Sequence, residues 1–103
     1  DELLGCEIDG KLITTGNVAA HILSLTADNP RDHVYTLHAE LEGQKLAPIF
    51  EQLLAGWKAQ GYQFAAMGDY YEKIKESDLP VCPITWDELP GRSGRLIVQG
   101  KAA

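Results

Sequence analysis

Apolar β-type runs alternating with amphipathic helices predict an α/β chain, organised as a parallel sheet with helical crossovers. Three observations carry this. A helical stripe of Val18, Ile22 and Leu25 leads into the β-forming run Val34–Leu37. A second, longer stripe lies between Pro48 and Gln60. A further apolar run, Tyr62 to Ala66, follows that helix directly. A parallel sheet needs cover on both faces, and two central strands with three helices make a poor closed unit. The chain starts at Asp1, inside what reads as the tail of an element, so it is expected to be a piece of a longer protein.

Asp1 to Leu4 read as the end of a preceding helix or strand, closed by Gly5. Charged and apolar residues alternate from Glu7 to Thr15 around the turn signal Asp9-Gly10. Asn17 is a suitable N-cap for a helix from Val18 to about Thr26, with Leu23 beside its apolar stripe. Asp28-Asn29-Pro30 ends that helix, because the residue before proline is pushed out of the α region. In the strand Val34–Leu37, alternation puts Val34, Thr36 and His38 on one face and Tyr35 with Leu37 on the other. Glu42-Gly43-Gln44 reads as loop.

Pro48 suits the first turn of a helix that runs to Gln60 and closes on Gly61. Ile49, Phe50, Leu53, Leu54 and Trp57 make its apolar face. Tyr62 to Ala66 is the next strand, and Asp69 to about Glu76 a short helix with Tyr70, Tyr71 and Ile74 on its buried side. The tail from about residue 79 to 103 is extended or β-type. Two prolines limit Leu79–Ile84 to an edge position. Pro90-Gly91-Arg92-Ser93-Gly94 is a turn before a last strand at Leu96–Val98.

The 103 residues suffice for one small domain. With 45% hydrophobic and 23% charged residues the composition is that of folded globular material. A net charge of −6 with no basic face excludes a nucleic-acid surface. No run approaches the roughly 18 apolar residues of a membrane-spanning helix, and no signal-peptide pattern is present. Cys6 and Cys82 form no C-x-x-C pair and are expected to be reduced thiols of a cytoplasmic protein.

The chemistry-bearing candidate is His38, delivered by the apolar run to what would be a strand's carboxyl end, with Glu40 two residues on. In α/β folds that position faces the active-site crevice, and histidine suits proton transfer near neutral pH. Packing at the end of a buried strand would place the same residue there. His33 faces the other side of the strand and His21 lies mid-helix, so the three histidines make no metal site by spacing. Glu40 and Glu42 could contact a substrate hydroxyl or simply be solvated. Gly91-Arg92-Ser93-Gly94 could offer amides and the Arg92 guanidinium to an anion, or be a plain turn; it lacks the lysine and length of a P-loop. Trp57, Tyr70 and Tyr71 fit a core.

The run Tyr35-Thr36-Leu37-His38-Ala39-Glu40-Leu41-Glu42-Gly43 resembles the last motif of the polysaccharide deacetylase (NodB-homology) family, an apolar strand ending in Leu-x-His or Leu-His. Collinear features extend the likeness: the following helix, Gly61-Tyr62-Gln63-Phe64, and Asp69-Tyr70-Tyr71. Leu79-Pro80 and Pro90-Gly91-Arg92-Ser93-Gly94-Arg95-Leu96 most resemble the branch that deformylates 4-deoxy-4-formamido-arabinose carried on undecaprenyl phosphate. The likeness covers about His33 to Gln99 and, more loosely, the helix at Val18. The family's early Asp-Asp and His-x-x-x-His motifs are not in these residues, and Ala39 stands where many members have aspartate.

The resemblance implies that residues 1–103 are the C-terminal portion of a single NodB-homology domain, the last strand-helix units of a distorted (β/α)7 barrel. It implies a hydrolase acting on carbon–nitrogen bonds other than peptide bonds, a carbohydrate N-deacylase. The substrate would be a carbohydrate or lipid-linked sugar. It implies a divalent metal, zinc or similar, held by one aspartate and two histidines of the longer protein, with no metal ligand in this chain. By motif position His38 is the acid that protonates the leaving amine; beside it, the residues themselves offer Glu40 as a substrate or support contact and Arg92 as a substrate contact. The isolated piece would be inactive, and its exposed Val34–Leu37 edge would invite self-association. The place of action would be the cytoplasm or the cytoplasmic face of the inner membrane. The rival reading is a non-catalytic α/β interaction module, or a self-associating domain, with a structural His38.

Overall fold

A computed structural model describes residues 3–89 and 91–102. The chain divides into two compact units, Asp1–Gln63 and Phe64–Ala103. Both carry helices and small sheets, and every ladder among the described residues is antiparallel and two-stranded.

The first unit opens with a small hairpin, β1 (Glu7–Ile8) against β2 (Lys11–Leu12). Its turn residues Asp9 and Gly10 sit at φ +50° and +77°, the left-handed pair of a type I′ turn and the form that the dipeptide signals. Just beyond the hairpin, Gly5 N–H donates to Ile13 and Ile13 N–H to Cys6, at 2.9 and 2.8 Å, drawing Ile13 into the core at 1% exposure.

Helix α1 spans Val18–Thr26, as its stripe requires. Asn17 stands at the N-cap position, but its side chain turns back into the hairpin. Its Oδ1 accepts Thr14 N–H at 2.8 Å, and its Nδ2 donates to the Leu12 carbonyl at 2.9 Å. The residue thus ties hairpin to helix. The buried face of α1 runs through Val18, Ala19 and Thr26, which leaves Leu25 past its edge and 57% exposed, contrary to the expected stripe.

Glu42-Gly43-Gln44, expected as loop, lies within a π-helical turn, Leu41–Lys45, closed by Leu46 N–H on the Leu41 carbonyl at 2.7 Å. Helix α2 follows at Ala47–Ala59, with Pro48 in its first turn. At its end Gly61, at φ +93°, lets Tyr62 N–H reach the Trp57 carbonyl and Gly61 N–H the Lys58 carbonyl, each at 3.1 Å. This is a Schellman closure, open to glycine because the left-handed conformation carries no Cβ penalty.

α1 packs on α2. A Cβ at Gly56 would lie 2.5 Å from Leu23 Cδ1, so Leu23 occupies space that only glycine leaves. Ile13, Val18, Ala19, Leu46 and Leu53 form the core, with Leu53 fully enclosed. Two carbonyls at the end of α1, where helical amides run out, are taken by residues just after α2. Gln60 Nε2 donates to the Leu23 carbonyl at 2.9 Å, and the Tyr62 hydroxyl is shared between the Thr26 and Asn29 carbonyls at 2.7 Å each. The Thr26 hydroxyl accepts Trp57 Nε1 at 3.2 Å and lies 2.7 Å from Gln60 Oε1.

The second unit holds α3 (Met67–Lys73), a 3₁₀ turn (Glu76–Asp78) and a hairpin of β3 (Ile84–Glu88) with β4 (Arg95–Gln99). α3 begins and ends earlier than expected, so Ile74 caps it; Tyr70 and Tyr71, expected inside, are 36% and 70% exposed. β3 starts at Ile84, just past Pro83, since proline brings no N–H to a ladder. Gly100 N–H still reaches the Pro83 carbonyl at 2.8 Å. Pro90 of the expected turn lies outside the described residues, and so do Asp1 and Glu2 of the expected leading element.

The expected parallel sheet is not formed among the described residues. Residues 34–37 and 62–66, read as strands, carry neither helix nor ladder. A parallel ladder needs a neighbouring strand running the same way, and hydrophobic pattern alone does not supply one. Cys6 and Cys82 are half-buried thiols.

Candidate active site at His38

The irregular segment 32–38 ends at His38, where the chain turns into the Leu41–Lys45 helical turn. The His38 carbonyl accepts the amides of Leu41 and Glu42, both at 2.9 Å. The Glu42 side chain then folds back, and its Oε2 accepts the His38 amide at 2.8 Å. Residues four apart are thereby joined through both main-chain groups of the histidine, a reciprocal closure like that of a helix capping box.

Glu42 is 3% exposed. A carboxylate taken from water is costly unless hydrogen bonds replace its hydration. Here burial pushes its pKa up, while the His38 and Glu42 amides pull it down, and the net direction is downward. Its Oε1 faces the Tyr35 hydroxyl at 3.5 Å. The Tyr35 ring lies parallel to Phe50 at 6.3 Å and edge-on to Trp57 at 5.3 Å, both on the apolar face of α2. Burial, then the Glu42 charge, then their hydrogen bond raise the Tyr35 pKa and keep the phenol protonated as a donor. Support therefore runs from α2 through Tyr35 and Glu42 to the main chain of His38. The His38 ring is half-buried, with Nδ1 shielded from solvent.

Glu40 lies in the same turn, exposed, with helical backbone angles. Arg92 belongs to the second unit, in the β3–β4 connection, exposed between Gly91 and Gly94 at φ +83° and +73°. Arg92 N–H donates to the Leu89 carbonyl at 3.1 Å, the bond of a turn. His33 is engaged locally: Nε2 donates to the Asn29 carbonyl at 3.0 Å, and the ring meets Tyr62 edge-on at 5.6 Å. His21 is half-buried on α1. No cluster of three or more His, Cys, Asp or Glu suited to a metal occurs among the described residues. No described helix is long and apolar enough to cross a membrane.

The residue that sequence reasoning undervalued is Glu42. The His38-x-x-x-Glu42 spacing, in which a side chain reaches the amide four residues back, was the available signal.

No family model matches the chain. No solved structure matches it either. Curated relatives do, and two of them share a name. One is the probable 4-deoxy-4-formamido-L-arabinose-phosphoundecaprenol deformylase of Wigglesworthia glossinidia brevipalpis, 37% identical over 66% of this chain. The other, of the same name, is from Shewanella sediminis and is 35% identical over 93% of this chain. The chain spans 23% and 30% of those relatives' lengths, in their C-terminal part. On these matches the chain is homologous to the C-terminal part of formamido-arabinose deformylases, which are polysaccharide deacetylase-family members.

Proposed function

We propose that this chain is the acid-bearing C-terminal portion of a metal-dependent carbohydrate N-deacylase that deformylates a lipid-linked aminosugar. One observation carries the reading: the main chain of His38, whose sequence run resembles the family's late-histidine motif, is held from both sides by Glu42. The reaction consumes water and an amide and yields a carboxylic acid and an amine. Attack by water gives a tetrahedral centre, which collapses only if the departing nitrogen gains a proton. His38 supplies that proton. A divalent metal bound by residues of the longer protein would polarise the acyl carbonyl and activate the water; residues 1–103 would complete a (β/α)7 barrel with it.

In this reading Glu40, exposed in the turn that follows His38, contacts the sugar. The enzyme works at the cytoplasmic face of the inner membrane, where a lipid-linked substrate is presented, and the isolated chain is inactive. The test is His38→Ala in the full-length protein. We expect a kcat loss of about 10²–10⁴-fold, the scale of a missing general acid, with bound metal unchanged. Undiminished deformylation rejects the reading.

Exposed apolar side chains favour a second behaviour for the isolated chain. Val34 is 69% exposed and Leu37 44%. Such surface promotes self-association. Sedimentation of the 11.3 kDa chain should show dimers or larger species, and a monomer at all concentrations would count against this.

A further inference from the structure

We infer that Glu42 is a positioning residue for His38, fixing the histidine's main chain so that its imidazole meets the leaving nitrogen in one geometry. The inference rests on the acid role proposed for His38. Only two torsions separate a histidine's Cα from its ring. Holding the His38 amide at 2.8 Å on Glu42 Oε2, and its carbonyl at 2.9 Å under the Glu42 amide, therefore fixes the base of the imidazole and leaves it few orientations.

Bonds of this carboxylate close a five-residue loop, His38 to Glu42, and rest on Tyr35, itself packed against Phe50 and Trp57. Burying a charge is an expensive way to stabilise a loop, since an apolar side chain of similar volume often does as well. The His38 amide is one of the groups this carboxylate holds, and it sets the geometry at the histidine. A catalytic group displaced by about 1 Å loses rate by roughly 10²-fold even when binding is intact.

The test compares Glu42→Ala, Glu42→Asp and Glu42→Gln in the full-length protein, each checked for folding by circular dichroism. Glu42→Ala should lower kcat by about 10²-fold with KM unchanged. Glu42→Asp keeps the charge but falls one methylene short, and should lower kcat by about tenfold. Glu42→Gln retains an oxygen for the His38 amide and should recover most of the lost kcat. A merely structural carboxylate would change the folded fraction but leave the kcat of folded protein and the alanine–glutamine contrast flat. If Glu42→Ala does not fold, Glu42→Asp decides: a folded Glu42→Asp with wild-type kcat overturns the inference, as does a folded Glu42→Ala within twofold of wild type. His38→Ala separates the two ideas. Inactive His38→Ala beside normal Glu42 variants removes only the positioning role, whereas active His38→Ala removes the acid role itself.

Discussion

The two units of this chain hold themselves together in different ways. The first has a buried core in Ile13, Val18, Ala19, Leu46 and Leu53, and a polar network that caps the end of α1. No described side chain of the second is buried; its β3–β4 hairpin presents Ile84, Trp86 and Ile97 on one face at 78%, 56% and 61% exposure. A two-stranded hairpin is marginal in water by itself. His38 belongs to the self-supporting unit, so the proposed acid is carried by the part that can hold a geometry.

The sharpest way to break this contrast is to empty the first unit's core. Leu53→Ala should destabilise it by about 2–5 kcal/mol, the cost of a buried leucine and the cavity it leaves. Amide exchange in α1 and α2 should accelerate, while β3–β4 exchange, expected to be fast in the wild type too, should change little. Thr26→Val is the next step down. It strips the acceptor from Trp57 and the partner from Gln60, and about 1–3 kcal/mol should be lost by chemical denaturation.

Acid acts on the same unit through Glu42. Its folded-state pKa lies below the ordinary value, so the stabilisation is present above the unfolded-state pKa and is lost as pH falls through the folded one. Melting followed between neutral and strongly acidic pH should show that loss, and Glu42→Gln should flatten it. The smallest effect is expected in the second unit. Trp86→Thr removes an exposed side chain opposite Ile97 and should cost only about 0.2–1 kcal/mol of hairpin stability, read by exchange at β3 and β4.

Local signals were legible in the sequence. The Asp9-Gly10 turn, α1 at Val18–Thr26, Pro48 at the start of α2 and Gly61 at its end each depend on residues within one turn of the chain. What depends on a partner was not. The alternation in Val34–Leu37 marks a β-former, but a ladder needs a second strand, and none pairs with it among the described residues. Tyr70 and Tyr71 follow helical spacing, yet spacing does not say whether another surface covers them. At the candidate site, His38, whose role is proposed, was singled out from its motif. Glu42 was not, because a glutamate becomes structural only when the fold buries it and aims amides at it, and those contacts come from Tyr35 and His38 rather than from composition.

The central claim is that His38 protonates the departing amine, and the dependence on leaving group tests it most directly. Wild type and His38→Ala of the full-length protein would be compared on a formamido sugar and on 4-nitrophenyl formate, whose phenolate departs without a proton. The account requires a loss of about 10²–10⁴-fold on the amide and a much smaller loss on the ester. Equal losses on both would mean that His38 serves the attack on the carbonyl or the fold instead, and would contradict the acid role.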